Sequence, residues 1–168
     1  MDALQQAPGP IVCRVVVSGE IVEDDGIFAG TRRYVEWMLD ATWLLHEFAC
    51  WCAERALRGA NIKNEVLRAA IAAKRAWLAD EITDEQLEAA FAAARSIARW
   101  TTDYAARSAG YSAAYSAAYS AAYSAASLAA DSAARSAWTS ASKYSAYIAE
   151  IEAQERKLLR MFAEAPEQ

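Results

Sequence analysis

The residues with the sharpest chemistry are few: one histidine, His46, and three cysteines, Cys13, Cys50 and Cys52. His46 and Cys50 stand four apart, so on a helix they share a face. A cysteine nucleophile beside a histidine base also needs a third group to orient the imidazole, and none stands at helical spacing. As a metal pattern, His-x3-Cys-x-Cys lacks a fourth ligand, and Cys52 points to another side of the helix. His46 and Cys50 therefore read as packing residues. No glycine-rich phosphate loop, serine elbow or paired acidic metal motif occurs. No catalytic residue, metal or cofactor is expected.

Two further sets have binding chemistry. On one helix Glu36, Asp40, Glu47 and Glu54 would fall within about 40° of one another, an acidic stripe edged by Trp43 and Trp51. Solvated carboxylates are ordinary, whereas tryptophans beside them suit the Lys and Arg side chains of a basic protein partner. The plainer reading of the tryptophans is packing against a neighbouring helix. The second set is a tyrosine band, Tyr111, Tyr115, Tyr119 and Tyr123, able to stack on a base or sugar. Arg99, Arg107 and Arg135 are the cations that would meet phosphates beside it. Here too the plainer reading is packing between helices, with the hydroxyls at the rim.

The elements that must position these residues are mostly helical. Residues 1–30 form a separate N-terminal segment: Pro8-Gly9-Pro10 breaks regular structure, and Ile11 to Val22 carries β-branched residues around Ser18-Gly19. Val15-Val16-Val17 and Glu20 to Glu23 suggest a small hairpin, closed by Asp24-Asp25-Gly26 and Gly30. Such a hairpin is marginal alone and must lean on the helices or on another subunit. Residues 31–165 read as one alanine-rich helical domain. Thr31 as N-cap and Gly59 as C′ residue bracket a first helix, with Tyr34, Met38, Ala41, Leu45, Ala49, Cys52, Ala53 and Ala56 as its core stripe. A second helix is expected from Ile62 to Ala79. Thr83 and Gln86 form a capping box that starts a third. The expected fold is all-α, a bundle of about four long helices plus the small N-terminal β-hairpin.

One of those helices is expected to be the long Ala/Ser/Tyr-rich run from Arg107 to Ala146, built on an x-Ser-Ala-Ala tetrad. A repeat of four advances about 40° per tetrad around a helix of 3.6 residues per turn, so the tyrosines sweep round it as a slanting band. The chain has 42 alanines among its 168 residues, and 23 successive residues between Arg107 and Asp131 carry no charge. Length alone would permit a membrane span, but Ala and Ser gain little from lipid, so none is expected. Small residues on most faces instead allow helix backbones to approach closely.

Composition narrows the class further. With 55% hydrophobic residues the chain is too apolar for disorder, and its net charge of −5 disfavours duplex nucleic acid as a partner. An odd number of cysteines does not make a secreted disulfide framework, and the N-terminus carries no signal-peptide pattern. A cytoplasmic, soluble protein is expected.

The stretch Ala49 to about Ala146 resembles an alanine-rich, all-helical class of immunity proteins from bacterial polymorphic-toxin systems, with relatives in phage genomes. The residues that carry the likeness are Cys50-Trp51-Cys52-Ala53-Glu54-Arg55-Ala56-Leu57 and Ala69-Ala70-Ile71-Ala72-Ala73-Lys74-Arg75-Ala76-Trp77-Leu78. Asp80-Glu81-Ile82-Thr83, the helix Gln86 to Ala98 and the Ala/Tyr repeat follow in the same order. The resemblance implies a non-catalytic antitoxin-like protein that neutralises its target by binding it, most simply a protein toxin. A phage anti-defence relative would instead sequester a small signalling nucleotide. A third reading is structural, a helical protein that forms a homo-oligomer around its tryptophans and N-terminal segment.

Overall fold

The computed structural model describes residues 9–24, 27–117 and 122–165. Two strands, β1 (Ile11–Asp24) and β2 (Ile27–Asp40), precede six helices. These are α1 (Thr42–Gly59), α2 (Glu65–Leu78), α3 (Asp84–Trp100), α4 (Tyr104–Ala117), α5 (Ala122–Ala141) and α6 (Tyr144–Glu164). Among the described residues the chain is mostly helical, with six helices, and carries an N-terminal hairpin, as the all-α-plus-hairpin expectation has it.

The hairpin is longer than its sequence suggests. β1 and β2 pair antiparallel from Ile11 opposite Asp40 to Asp24 opposite Ile27. Ser18-Gly19 is therefore not the turn. Gly19 and Glu20 together oppose Thr31, a bulge in which Gly19 takes a φ of 87°. A Cβ at Gly19 would collide with the Thr31 hydroxyl, and the Glu20 amide donates to that hydroxyl at 3.2 Å. Thr31 is thus a strand residue and not the N-cap of a helix. The expected helix over residues 31–41 is corrected. Its β-branched and aromatic content, Tyr34, Val35 and Trp37, pairs with β1 instead.

Helix α1 starts at Thr42, where the Asp40 carboxylate accepts from the Thr42 amide at 2.9 Å and from its hydroxyl at 2.6 Å. From there the expected core stripe holds: Leu45, Ala49, Cys52, Ala53 and Ala56 are buried. Tyr34 and Met38, placed on that stripe by a helical period, are instead exposed on β2. α1 is the central helix, in contact with α2, α4, α5 and α6. α2 begins after Asn64, whose side-chain oxygen accepts from the amides of Val66 and Leu67. The capping box of α3 is present, with the Thr83 amide donating to Gln86 at 2.8 Å and the Gln86 amide donating back at 3.4 Å.

The tetrad repeat is not one helix but two that fold back on each other. The Ser112 hydroxyl donates to the Ala129 carbonyl at 2.7 Å, and Ser136 donates to Ala105 at 3.1 Å. As residue number rises along one helix it falls along the other, so α4 and α5 run antiparallel. Both helices bury small residues, including Ala109, Ser112, Ala113, Ser116, Ala126, Ala129 and Ala133. Gly110 lets α3 approach as well, since a Cβ there would lie 2.9 Å from that of Ala98. Among the described residues, no helix is long and apolar enough to cross a membrane.

Candidate functional site

The expected acidic stripe is divided among three places. Glu36 lies on β2 and pairs with Arg14 at 2.9 Å. Glu54 and Glu47 on α1 both reach Arg75 of α2, at 2.5 Å and 3.4 Å. Asp40 stands just before α1 and accepts from the Thr42 amide and hydroxyl, and the hydroxyl bond holds its carboxyl below the usual range. Trp51 lies half-buried, stacked on Phe48 and covered by the Arg55 guanidinium 4.9 Å from its ring. These six residues do not form one continuous surface, because Glu36 and Asp40 belong to a strand and not to α1.

Part of the set does converge. Asp40, Trp43 and Glu47 line a groove of about 470 Å³ where the start of α1 meets the end of α6. Leu39, Leu44 and Met161 supply apolar lining, and Glu164 and Lys157 stand on the α6 side. Trp43 is 60% exposed although it is the largest side chain present. Asp40 and Glu164 against Lys157, with Glu47 shared with Arg75, leave the groove mildly acidic. Met161, Glu164 and Lys157 were not among the sequence-derived candidates; the spacing of 157, 161 and 164 on one helical face was the available signal.

The tyrosine band has a different fate. Tyr111 and Tyr115 stack on each other at 5.9 Å, half-buried at the edge of α4. Tyr119 and the side chain of Tyr123 lie outside the described residues. Each expected cation is engaged locally: Arg107 over Tyr104, Arg99 over Trp100, and Arg135 with Asp131 at 2.8 Å. A cluster of cations does occur elsewhere. Arg58, Lys63, Arg68 and Arg75 line a cleft of about 460 Å³ between α1 and α2, with Glu54 as its one carboxylate. No local spacing announces it, because the turn from Ala60 to Asn64 is what brings the end of α1 beside α2.

His46 and Cys50 are buried, as read. His46 meets the edge of Trp77 at 5.7 Å, and the Lys74 ammonium lies 4.2 Å from the same ring. Burial, with nearby Lys74, pulls the imidazole down to about 4, so it is neutral at pH 7. Burial pushes the Cys50 thiol up to about 12 and pulls Lys74 down to about 8. A neutral imidazole and a fully protonated thiol do not make the imidazolium–thiolate pair of an activated cysteine. Among the described residues, no group of three or more His, Cys, Asp and Glu side chains is placed to hold a metal.

The described residues thus form a mostly helical bundle with a β-ribbon, and its candidate sites are an acidic aromatic groove and a basic cleft. No family model matches the chain, no curated protein matches its sequence, and no solved structure matches its fold.

Proposed function

We propose that this chain is a non-catalytic binding protein that neutralises a basic protein partner by covering it, as an immunity protein covers a toxin. The observation that carries this reading is Trp43, 60% exposed in a groove lined by Asp40, Glu47 and Glu164. An exposed indole beside carboxylates suits Lys and Arg side chains, which gain charge pairing and a π face together. Complementary charge would also steer a basic toxin to the groove.

The test uses variants that spare the fold. Asp40 holds Thr42, the first residue of α1, and Glu47 holds Arg75, so both are poor probes. Trp43→Ala and Glu164→Lys alter exposed groove residues instead. A fluorescent Lys/Arg-rich peptide should bind the native chain, weaken with salt, and lose at least about tenfold in affinity with either variant. Unchanged binding by both variants would remove the groove as the interface. Native and denaturing mass spectrometry of the protein from its own cells provides the second arm. Release of a nucleotide there would replace this reading with small-molecule sequestration.

A further inference from the structure

The β1–β2 ribbon is attached to the helices at its base, where the Ala41 amide donates to the Pro10 carbonyl and Val12 packs on the core. Beyond the base it stands away from the bundle, yet it is apolar. Val15 pairs with Val35 and Val16 with Tyr34, and all four are exposed. Successive pairs point to opposite faces, so both faces of the ribbon are apolar. Val22 and Phe28, 66% and 55% exposed, continue this toward the tip. A two-stranded ribbon is marginal in water, and exposed apolar surface of this extent marks an interface.

Three observations identify the occupant as a second copy of this chain. The first is charge. The outer part of the ribbon carries Glu20, Glu23 and Asp24, all exposed, with Arg32 and Arg33 set back toward the base. The cleft at the far end of α1 carries Arg58, Lys63 and Arg68. Arg58 and Lys63 have no ion-pair partner among the described residues, and Arg68 reaches Glu65 only at 4.0 Å. The second is reach. Fourteen extended residues span roughly 46 Å, whereas the eighteen of α1 span roughly 27 Å. An arm rooted at the start of α1 is long enough to pass along the body of a neighbouring copy to that cleft. The third is area. One face of a ribbon two strands wide and about 46 Å long presents on the order of 440 Å². In a two-fold exchange each copy gives one such face and covers another, on the order of 900 Å² per partner, where a standard stable interface needs about 800 Å².

We infer that the ribbon is an exchanged dimerisation arm, laid along a second copy with its acidic tip in that copy's basic cleft. The inference is independent of the Trp43 groove.

Native mass spectrometry and light scattering of the full chain at tens of micromolar should give a dimer. Reversing the tip (Glu20→Lys, Glu23→Lys, Asp24→Lys) or the cleft (Arg58→Glu, Lys63→Glu, Arg68→Glu) should weaken it at least about 100-fold. All six side chains lie at the surface or in the open cleft, and circular dichroism checks that each variant stays helical. The decisive step is to mix the two reversed chains, each monomeric alone. Both arms then meet a cleft of opposite charge, so a heterodimer of intermediate mass should appear. A monomeric native chain, a dimer that survives both reversals, or a mixture that stays monomeric would each overturn the inference.

Discussion

Arg55 on α1 grips Glu150 on α6 with three hydrogen bonds, 2.7 to 3.2 Å long, across 95 residues of sequence. Glu150 also accepts from the Gln154 amide at 3.3 Å, and Gln154 donates to the Ala130 carbonyl of α5 at 3.0 Å. This network joins three helices through a carboxylate that is only 9% exposed. Removing the guanidinium alone would leave that charge without its main partner. Arg55→Ala is expected to cost roughly 2–3 kcal/mol, read as a lower denaturation midpoint. The double replacement Arg55→Met with Glu150→Met should cost clearly less than the two single changes added together. Additive losses would show that the pair is incidental to stability.

Gly110 and Gly59 predict opposite signs for one substitution. Both are helical, and alanine gains up to about 1 kcal/mol over glycine there from propensity. At Gly110 the new methyl would sit 2.9 Å from the Ala98 Cβ and 3.2 Å from its Cα, so α3 and α4 must part. Overpacking of that kind costs about 1–3 kcal/mol. Gly110→Ala should therefore lower the melting temperature, whereas Gly59→Ala, with nothing within 4 Å of its new Cβ, should raise it. A stabilising Gly110→Ala would mean that the α3–α4 contact is looser than these distances require.

Local signals were legible and long-range ones were not. The Thr83–Gln86 box closes within one turn, and it forms as read. The Ala41 to Ala56 stripe likewise needs only a helical period to be seen. Residues 31–40 also fit a helical period, and what overrides it is pairing with β1, which no single strand announces. The reversal between α4 and α5 was equally hidden, because no Pro or Gly separates Gly110 from Ala122. Of the candidate site, Asp40, Trp43 and Glu47 were found by residue type. Their companions Met161 and Glu164 come from more than a hundred residues away, and tertiary packing alone selects them.

His46 makes stability depend on pH in a defined window. Burial and Lys74 lower its folded value to about 4, against 6.5 for the unfolded chain. As pH falls below 6.5 the unfolded state takes up a proton that the native state refuses, so stability declines until about pH 4. Its Nδ1 has no hydrogen-bond partner among the described residues, so the neutral ring gains nothing there to offset burial. His46→Leu should flatten the denaturation midpoint across this window relative to the native chain. Parallel slopes in the two proteins would assign the acid sensitivity to other groups.

The three thiols should separate cleanly in reactivity. Cys50 and Cys52 are fully buried, and desolvation pushes Cys50 up to about 12 and Cys52 well above its ordinary value. Neither supplies thiolate at neutral pH, while Cys13 stands exposed on β1. A maleimide should label one thiol per native chain, Cys13→Ser should abolish that labelling, and denaturant should release the other two. Cys13 also reports on the arm. Its own fold leaves it open, so in the exchanged dimer it should react more slowly than in the tip-reversed monomer. Equal rates in the two would count against burial of the arm along its length.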